Sequence, residues 1–297
     1  MAAESANASG EASAVELGVA ITPDAKAPER AVKLAMLADQ AGLDLLGIQD
    51  HPYNRQFLDT WSLLCYLGAQ TQRIRLVPDV ANLPLRPPAT LAKAAASLDL
   101  LTGGRVELGL GAGAFWDQIT SMGGPSRSSG EAIAALAEAI QVIRAMWSGR
   151  QVVDVAGQHY RLQGLHPGPV PAHPIGIWVG AFGPRMLALT GWLADAWLPS
   201  LPRLQDEQVP AYQAAIDRAA RQSSRDPAQV RRVANLADPG GPVTGWADKL
   251  ARTAETLRFD GFFVATDDAE LVRRLGGDVA PRLRELTTGL GPARPHE

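Results

Sequence analysis

Cysteine is almost absent from this 297-residue sequence, which contains only one, Cys65. No disulfide can form within the chain, so the fold has to be held together by its core, and a reducing compartment such as the cytoplasm is expected. Cys65 lies within an apolar helical pattern, which predicts a packing residue rather than a nucleophile.

The sequence also lacks an excess of either charge and any long apolar run. Its 28 basic and 31 acidic residues are nearly balanced, so no basic surface for nucleic acid is expected. No apolar stretch reaches the length of a membrane-spanning helix. Residues 1–14 are small and polar, with neither a basic nor an apolar region, which predicts a disordered tail rather than a signal peptide. We therefore expect a cytoplasmic protein that binds neither nucleic acid nor membranes.

Several classes of reaction lack their characteristic residues. The five histidines show no spacing typical of a zinc site, so no metal is expected. No Gly-x-Ser-x-Gly motif is present and no cysteine follows a predicted strand, which argues against nucleophilic hydrolysis. No lysine stands at a strand end to serve as the base of an aldolase or sugar-phosphate isomerase. Asp50, Asp79 and Asp117 are scattered over three loops and do not support a glycosidase pair.

What the sequence does have is a regular alternation of strand and helix patterns. This alternation implies parallel strands with helical crossovers, and eight such units predict an α/β fold of the closed (β/α)8 TIM-barrel type. A doubly wound open sheet is the main alternative, but it usually stops at five or six strands. The predicted strands are 16–21, 43–48, 73–80, 105–113, 175–181, 194–199, 230–236 and 260–265, and the predicted helices are 28–42, 58–71, 88–104, 130–147, 184–193, 206–221, 245–257 and C-terminal helices to about residue 288.

One domain, residues 15–297, is expected because no linker divides the chain. Residues 148–174 interrupt the alternation. Within them, 151–164 alternate apolar and polar residues around Ala156-Gly157, which predicts a small hairpin, and a proline-rich stretch follows. We interpret this region as an insertion between the fourth helix and the fifth strand.

Polar and glycine-rich segments follow the predicted strands, where barrel enzymes carry their active sites. The segment LLGIQDHPY (45–53) ends a buried strand in an acid, a histidine and a proline. The segment GLGAG (109–113) allows a flat ligand to approach the backbone closely. In GAFGPRML (180–187), Gly183 precedes a proline that opens a helix, and the free amides of this helix, together with Arg185, would hold a phosphate. Each segment also has a purely structural interpretation, as a strand end or a capped turn.

Aromatic residues accompany these segments. Trp116, in the glycine-rich loop, is the tryptophan most expected to face a ligand, whereas Trp178 and Trp197 are expected in the core. A flat ring against glycine loops, a phosphate on a helix N-terminus and one polar residue near the ring are typical of a cofactor enzyme.

Three segments resemble the bacterial luciferase-like flavin-dependent oxidoreductases, which include FMN monooxygenases and enzymes of the deazaflavin coenzyme F420. The resemblance implies a (β/α)8 barrel with an insertion between the fourth helix and the fifth strand, and F420 or FMN as the cofactor. It runs from about residue 16 to 286 and rests on QAGLDLLGIQDHPY, on LPLRPPATLAKAAASLDLLTGGRVELGLGAGAFWD and on the closing FDGFFVATDD and VAPRLREL.

The resemblance also implies roles for particular residues. His51 takes the position of the family's ring-side histidine and is the expected catalytic residue. Segment 78–83 supports the face of the ring, and in several members it contains a cis non-prolyl bond, expected here between Asp79 and Val80. Phe115 and Trp116 are expected in the substrate pocket. Cofactor contacts are implied for Asp50, His51, Asp79, Val80, Ala81, Asn82, Gly111, Ala112, Gly113, Gly180, Ala181, Phe182, Gly183, Pro184 and Arg185.

One position departs from the sugar-phosphate dehydrogenases of this family, which carry a glutamate proton donor just after the fourth-strand glycines. The corresponding residue is Ala114, followed by two aromatic residues. We therefore expect a small apolar or aromatic substrate, acted on by hydride transfer with F420 or by monooxygenation with FMN. The Asp50-His51 pair slightly favours F420, and a non-catalytic flavin-binding barrel is the alternative. A homodimer through the helices after the second and third strands is expected, with a separate enzyme that reduces the cofactor.

Overall fold

Parallel strands and helices alternate through nearly the whole described chain. The structure is a computed structural model that describes residues 14–237, 239 and 241–289. The predicted tail, residues 1–14, lies outside the described residues except for Ala14. The strands are β1 (Glu16–Ile21), β2 (Leu45–Ile48), β3 (Arg75–Pro78), β4 (Ala81–Asn82), β5 (Leu108–Gly111), β6 (Val153–Ala156), β7 (Arg161–Leu165), β8 (Ile177–Val179), β9 (Ala196–Trp197), β10 (Arg231–Leu236) and β11 (Gly261–Ala265).

Helices connect these strands and cover the outside of the sheet. Most begin and end within three residues of their predicted bounds. They are α1 (Pro28–Gln40), α2 (Thr60–Gln70), α3 (Pro88–Thr102), α4 (Trp116–Ser121), α5 (Ser129–Met146), α6 (Pro184–Leu193), α7 (Val209–Gln222), α8 (Trp246–Leu257), α9 (Ala269–Arg274) and α10 (Ala280–Thr287), with a π-helical turn at Leu275–Val279 between the last two.

The nine-stranded sheet forms a barrel. Its order is β3-β2-β1-β11-β10-β9-β8-β5-β4, and all of its strand pairs are parallel. The two ends of this order, β3 and β4, are successive parts of one segment, and a bridge between Leu76 and Val106 joins β3 to the chain that leads into β5. The predicted (β/α)8 barrel is therefore confirmed. The strands β6 and β7 stand apart as an antiparallel pair between α5 and β8, where the hairpin is predicted.

Two apolar cores result from this arrangement. The larger one fills the space between the strands and the surrounding helices. The smaller one fills the barrel interior and includes Trp178, Phe263 and Val233, with Val80 packed against it at the carboxyl ends of the strands. The interior is thus closed by side chains, and a ligand has access only to the rim above them.

Local signals fix the helix ends that face this rim. Asp59 precedes α2 and accepts a hydrogen bond of 2.9 Å from the Ser62 amide. Ser128 precedes α5 in a reciprocal capping box with Glu131. Gly183 precedes α6 with a φ of 78°, a left-handed conformation that favours glycine.

Three details differ from the sequence-based expectations. The third predicted strand is divided into β3 and β4 by a bulge at Asp79 and Val80, and the short helix α4 is not predicted at all. The prediction that Cys65 is a packing residue is wrong, because its side chain is exposed. The buried positions of α2 include Leu63, Leu64 and Leu67, so residue 65 falls on the opposite face.

The close packing of α6 against α7 leaves no room for a side chain at Gly191, which gives a prediction about stability. A Cβ on Gly191 would overlap the Ile216 carbonyl oxygen and lie 2.7 Å from the Ala219 Cβ. We expect Gly191→Ala to lower the free energy of unfolding by about 1–3 kcal/mol, the usual cost of overpacking. Gly277→Ala is the matched control, because a Cβ there meets nothing. Urea unfolding of both variants is the measurement, and equal midpoints would contradict the prediction.

Candidate active site

A large cavity of about 1050 Å³ opens at the carboxyl ends of the barrel strands. This volume is at the upper end of the range for small-molecule sites, so it has room for a ring cofactor and a small substrate together. Residues from the segments after almost every barrel strand line it, from Thr22 after β1 to Thr266 after β11.

His51 lies on one wall of the cavity. Its Nδ1 is 2.8 Å from the Tyr53 hydroxyl oxygen, and no described residue forms a hydrogen bond with its Nε2. Burial lowers the pKa of His51, while the nearby Asp50 carboxylate offsets part of this effect. The ring is therefore neutral at pH 7. In the tautomer in which Nδ1–H donates to the Tyr53 hydroxyl oxygen, Nε2 keeps its lone pair and is available to accept a proton from a ligand.

A network of hydrogen bonds fixes the carboxylate of Asp50, the residue before His51. Its carboxylate accepts a hydrogen bond of 2.8 Å from the backbone amide of Asn82 and hydrogen bonds of 2.6 and 2.7 Å from Nε and Nη2 of Arg86. Arg86 also donates to Asp59 at 2.6 Å. With its oxygens occupied in this way, the Asp50 carboxylate fixes the β2 end to the β4 segment.

The bulge between β3 and β4 forms the floor of the cavity. The peptide bond between Asp79 and Val80 is cis, as the resemblance implies. A Cβ on Gly111 would lie 2.8 Å from a Val80 methyl group, and one on Gly109 would overlap the Pro78 carbonyl oxygen. The glycines of the GLGAG segment are therefore needed first of all to let the bulge pack against β5, and this packing leaves backbone exposed to the cavity.

A carboxyl group lies beside this floor. Asp79 Oδ1 accepts a hydrogen bond of 2.9 Å from the Asn235 side-chain amide of β10. A Cβ on Gly47 would be 3.3 Å from Asp79 Oδ2, so the group points toward the barrel interior. Burial raises the pKa of Asp79 to about 6, although the hydrogen bond from Asn235 acts in the opposite direction.

The opposite end of the cavity is suited to an anion. Ser129 at the start of α5 and Gly183 at the start of α6 both line it, so the free amides of two helix N-termini face the same space. Arg185 lies beside Gly130, with Nη1 at 3.7 Å from a Cβ built there. Arg203 also lines the cavity and stacks over Phe182 at 5.2 Å. Neither arginine forms an ion pair within the described residues.

Aromatic side chains surround His51 at the mouth of the cavity. The ring centroids of Tyr53, Phe57 and Phe115 lie 5.5, 6.4 and 5.9 Å from that of His51. Phe115 is 58% exposed and has a φ of 58°, a left-handed conformation that is strained for a residue with a side chain. An exposed and strained aromatic residue at a cavity mouth is typical of a ligand-contacting position.

The structure brings most of the predicted site residues together, and their roles in binding stay predictions. Ala181 is fully buried, with its carbonyl accepting a hydrogen bond from Trp197 Nε1 at 3.0 Å, and Pro184 is exposed outside the cavity lining. These two residues do not line the cavity. The predicted residues that do are Asp50, His51, Asp79, Val80, Ala81, Asn82, Gly111, Ala112, Gly113, Phe115, Trp116, Gly180, Phe182, Gly183 and Arg185.

The described residues contain neither a candidate metal site nor a candidate membrane-spanning helix. Across residues 14–237, 239 and 241–289, no group of three or more His, Cys, Asp or Glu side chains is placed to hold a metal ion. In the same part of the chain, no helix combines the length and the apolar character needed to cross a membrane.

Comparison with known proteins agrees with the barrel fold. The model of the luciferase-like monooxygenases matches residues 9–237. The chain belongs to this family. A solved F420-dependent secondary alcohol dehydrogenase, in complex with an F420-acetone adduct, has the same fold, with a TM-score of 0.79 over 91% of this chain and 99% of that one, at 17% identity.

Relatives within the luciferase-like family are more similar in sequence. An F420-dependent hydroxymycolic acid dehydrogenase from Mycobacterium tuberculosis is 32% identical over 251 residues, which are 82% of this chain and 67% of that protein. An F420-dependent glucose-6-phosphate dehydrogenase from Nocardia farcinica is 31% identical over 220 residues, which are 70% of this chain and 65% of that protein. The match thus spans about two thirds of the length of these relatives.

The cavity of this luciferase-like protein offers surfaces for both parts of a flavin-type cofactor, the ring and the phosphate. The bulge and the GLGAG backbone offer a surface for a ring, and the two helix N-termini with Arg185 offer donors for a phosphate. The residues present therefore fit F420 or FMN. Bound there, such a ring would supply hydride or oxygen chemistry that no side chain can provide.

Sequence reasoning missed several lining residues. Thr22, Asn235 and Thr266 follow or end β1, β10 and β11, and Ser129 opens α5. The signal for Asn235 is present, since it is a polar residue in the otherwise apolar end of a predicted strand. Arg203 and Ser129 lie in segments without a strand-end signal, and only the fold brings them to the rim.

Proposed function

We propose that this protein is an F420-dependent oxidoreductase that transfers a hydride between the cofactor and a small apolar or aromatic alcohol or carbonyl compound. The observation that carries the proposal is a neutral histidine, surrounded by aromatic rings, in the same cavity as a glycine-lined floor and an anion-binding end. His51 would hold or accept the proton of the substrate hydroxyl while the carbon exchanges hydride with the ring.

The two dehydrogenase relatives support hydride transfer with F420, and for the same reason a non-catalytic role is not favoured. Glucose 6-phosphate is not the proposed substrate. Ala114 replaces the glutamate that the resemblance associates with the sugar-phosphate enzymes, and the aromatic residues Tyr53 and Phe115 line the cavity beside His51. These rings favour an apolar substrate over a sugar.

Monooxygenation with FMN is the second candidate, favoured by the monooxygenase family model that matches the chain. In that case a separate reductase would supply reduced FMN. The deciding experiment is a titration of the purified protein with F420 and with FMN, followed by tryptophan fluorescence quenching; Trp116 lines the cavity and serves as the reporter. Micromolar binding of F420 alone supports hydride transfer, tight binding of FMN alone supports monooxygenation, and binding of neither would overturn both candidates.

The anion-binding end makes a prediction of its own. Arg185→Ala is expected to weaken FMN or F420 binding by about 10-fold or more, because a hydrogen bond to a charged group is worth about 1.5–3 kcal/mol. The effect should shrink as salt is raised. Arg161→Ala, on the exposed strand β7, is the matched control and should leave the dissociation constant unchanged. Equal affinity of wild type and Arg185→Ala would place the phosphate elsewhere.

We also propose that the protein is a cytoplasmic homodimer. The outer faces of α2 and α3 carry Tyr66, Leu100 and Leu101, with exposed fractions of 56%, 47% and 84%, close to the exposed Cys65. Apolar side chains clustered on adjacent helix faces are typical of an interface. Light scattering should give twice the chain mass at micromolar concentration, and Leu101→Glu should shift it toward the monomer. A wild-type monomer would contradict the dimer.

A further inference from the structure

Asp79 lines the cavity but has no part in the proposed function so far. Its Oδ1 accepts from Asn235 at 2.9 Å. Its Oδ2 receives no hydrogen bond from the described residues, yet it is not among the buried atoms that lack a partner. This oxygen is therefore exposed to the cavity, and the carboxyl group can exchange a proton with a ligand bound against the bulge between β3 and β4.

The charged groups around the cavity do not neutralise Asp79. Asp50 is paired with Arg86, and burial raises the pKa of Asp79 against the opposing effect of the Asn235 hydrogen bond. An acid in this state is protonated in slightly acidic solution and can release its proton near neutral pH. The other titratable or charged side chains that line the cavity are Asp50, His51, Tyr53, Arg185, Arg203 and Asp267.

We propose that Asp79 is the proton donor to the ring in this site, in the place of the glutamate that Ala114 replaces. The inference rests on the proposed function. The residue sits on the bulge that the resemblance assigns to the ring face, and Asn235, from the opposite side of the barrel, fixes its carboxyl group there. The other carboxyl groups that line the cavity have partners of their own: Asp50 accepts from Arg86, and Asp267 accepts from the Thr22 backbone amide at 3.0 Å and lies 3.9 Å from Arg30.

The step balances for an alcohol substrate and oxidised F420. With the cofactor bound, the alcohol carbon would lose a hydride, with its electron pair, to the ring, and the hydroxyl proton would pass to His51. Asp79 would give its proton to the ring, so that the cofactor would gain one hydride and one proton in total. The alcohol becomes a carbonyl compound, Asp79 becomes a carboxylate, and solvent then returns the proton from His51 to Asp79. In the reverse direction Asp79 accepts the proton.

This role has a cost in stability that can be measured. The pKa of Asp79 is about 6 in the folded protein and near 3.8 for an ordinary aspartate, so the folded state favours the protonated form. Stability is then lost as the pH rises from about 4 to about 6 and stays lower above that range. Asp79→Asn should raise the melting temperature at pH 7.5 but leave it nearly unchanged at pH 4.5.

Ligand binding tests the same group without turnover. A ring that covers Oδ2 removes its remaining water and favours the neutral acid, so F420 binding should take up protons near pH 7 and weaken as the pH rises. If the ring raises the pKa of Asp79 by one further unit, the affinity falls by about 10-fold across that range. The experiment is tryptophan quenching with F420 between pH 5 and 8 for wild type, Asp79→Asn, Asn235→Ala and, as control, the exposed Asp117→Asn.

Comparing the pH dependence of F420 binding between wild type and the variants separates the titration of Asp79 from that of other groups, including those of F420. Asp79→Asn should lose the pH-dependent part and the proton uptake, and Asp117→Asn should keep both. The Asn235 hydrogen bond lowers the pKa of Asp79 in wild type. Asn235→Ala removes this bond and should therefore raise the pKa and move the inflection to higher pH. Wild type and Asp79→Asn with the same pH dependence would overturn the inference while F420 binding still stands. Absence of F420 binding by wild type would overturn the proposed function, and the inference with it.

Discussion

Replacing His51 by alanine is expected to lower turnover about 100-fold or more, the usual scale of general acid–base help. The structure gives the reason: Nε2 is the one ring nitrogen of His51 that no described residue occupies, in a cavity where burial keeps the imidazole neutral. A neutral imidazole can accept the proton of a substrate hydroxyl at Nε2, and the imidazolium formed in this way can return the proton in the reverse direction. The rate constant for cofactor reduction, measured by stopped flow with a secondary alcohol, is the quantity to compare.

Tyr53→Phe is the matched comparison for this prediction. It keeps the aromatic ring beside His51 and removes only the hydroxyl, which is 2.8 Å from Nδ1. A smaller loss, of about 10-fold, is expected because the imidazole stays in place but loses the partner that selects its tautomer. His51→Ala must still bind F420 for the result to count, and unchanged turnover in that variant would remove His51 from the mechanism.

The barrel could be predicted from the sequence because each strand and helix carries a local signal. Apolar runs of strand length alternate with amphipathic stretches, and glycine or proline marks most ends, as at Gly103 after α3 and Pro28 at the start of α1. Once eight parallel strands are accepted, the position of the active site follows from the fold. That is why the segments after β2, β4, β5 and β8 could be predicted to meet before their contacts were known.

Interactions between distant segments could not be predicted in the same way. Asn235 and Asp79 are 156 residues apart, and nothing near either residue indicates the other. The position of Cys65 depends on which face of α2 is buried, and an apolar pattern on nearly every side of that helix does not define one. Helix α4 follows Phe115 in a left-handed conformation, which the sequence does not mark with a glycine.

The predicted role of Asp50 changes for the same reason. The resemblance places this carboxylate next to the cofactor, and the residue does line the cavity, but its oxygens are occupied by Arg86 and the Asn82 amide. Although burial acts against it, hydrogen bonds to Asp50 and Asp59 hold the pKa of Arg86 above its usual value. Arg86 therefore keeps its charge, and the part of the Asp50–Arg86 pair is to hold the loop that carries His51.

Arg86→Ala is accordingly expected to lower the free energy of unfolding by about 3–5 kcal/mol, because it leaves the charge of Asp50 buried with only the Asn82 amide as a partner. The Asp50 side chain is 1% exposed, so water cannot compensate. Urea unfolding at pH 7 is the measurement. Asp59→Asn is the matched control: Asn still caps α2, only a half-exposed ion pair to Arg86 is lost, and a change below about 1 kcal/mol is expected.

A double variant shows whether the buried charge is the cause of that loss. Asp50→Asn combined with Arg86→Met removes both charges and keeps the amide acceptor and much of the volume, so it should be more stable than Arg86→Ala alone. If the double variant is instead the less stable of the two, the pair contributes net stability through its hydrogen bonds rather than through charge compensation. Equal stability of wild type and Arg86→Ala would mean that the network does not hold the β2 end, and the position of His51 would then need another explanation.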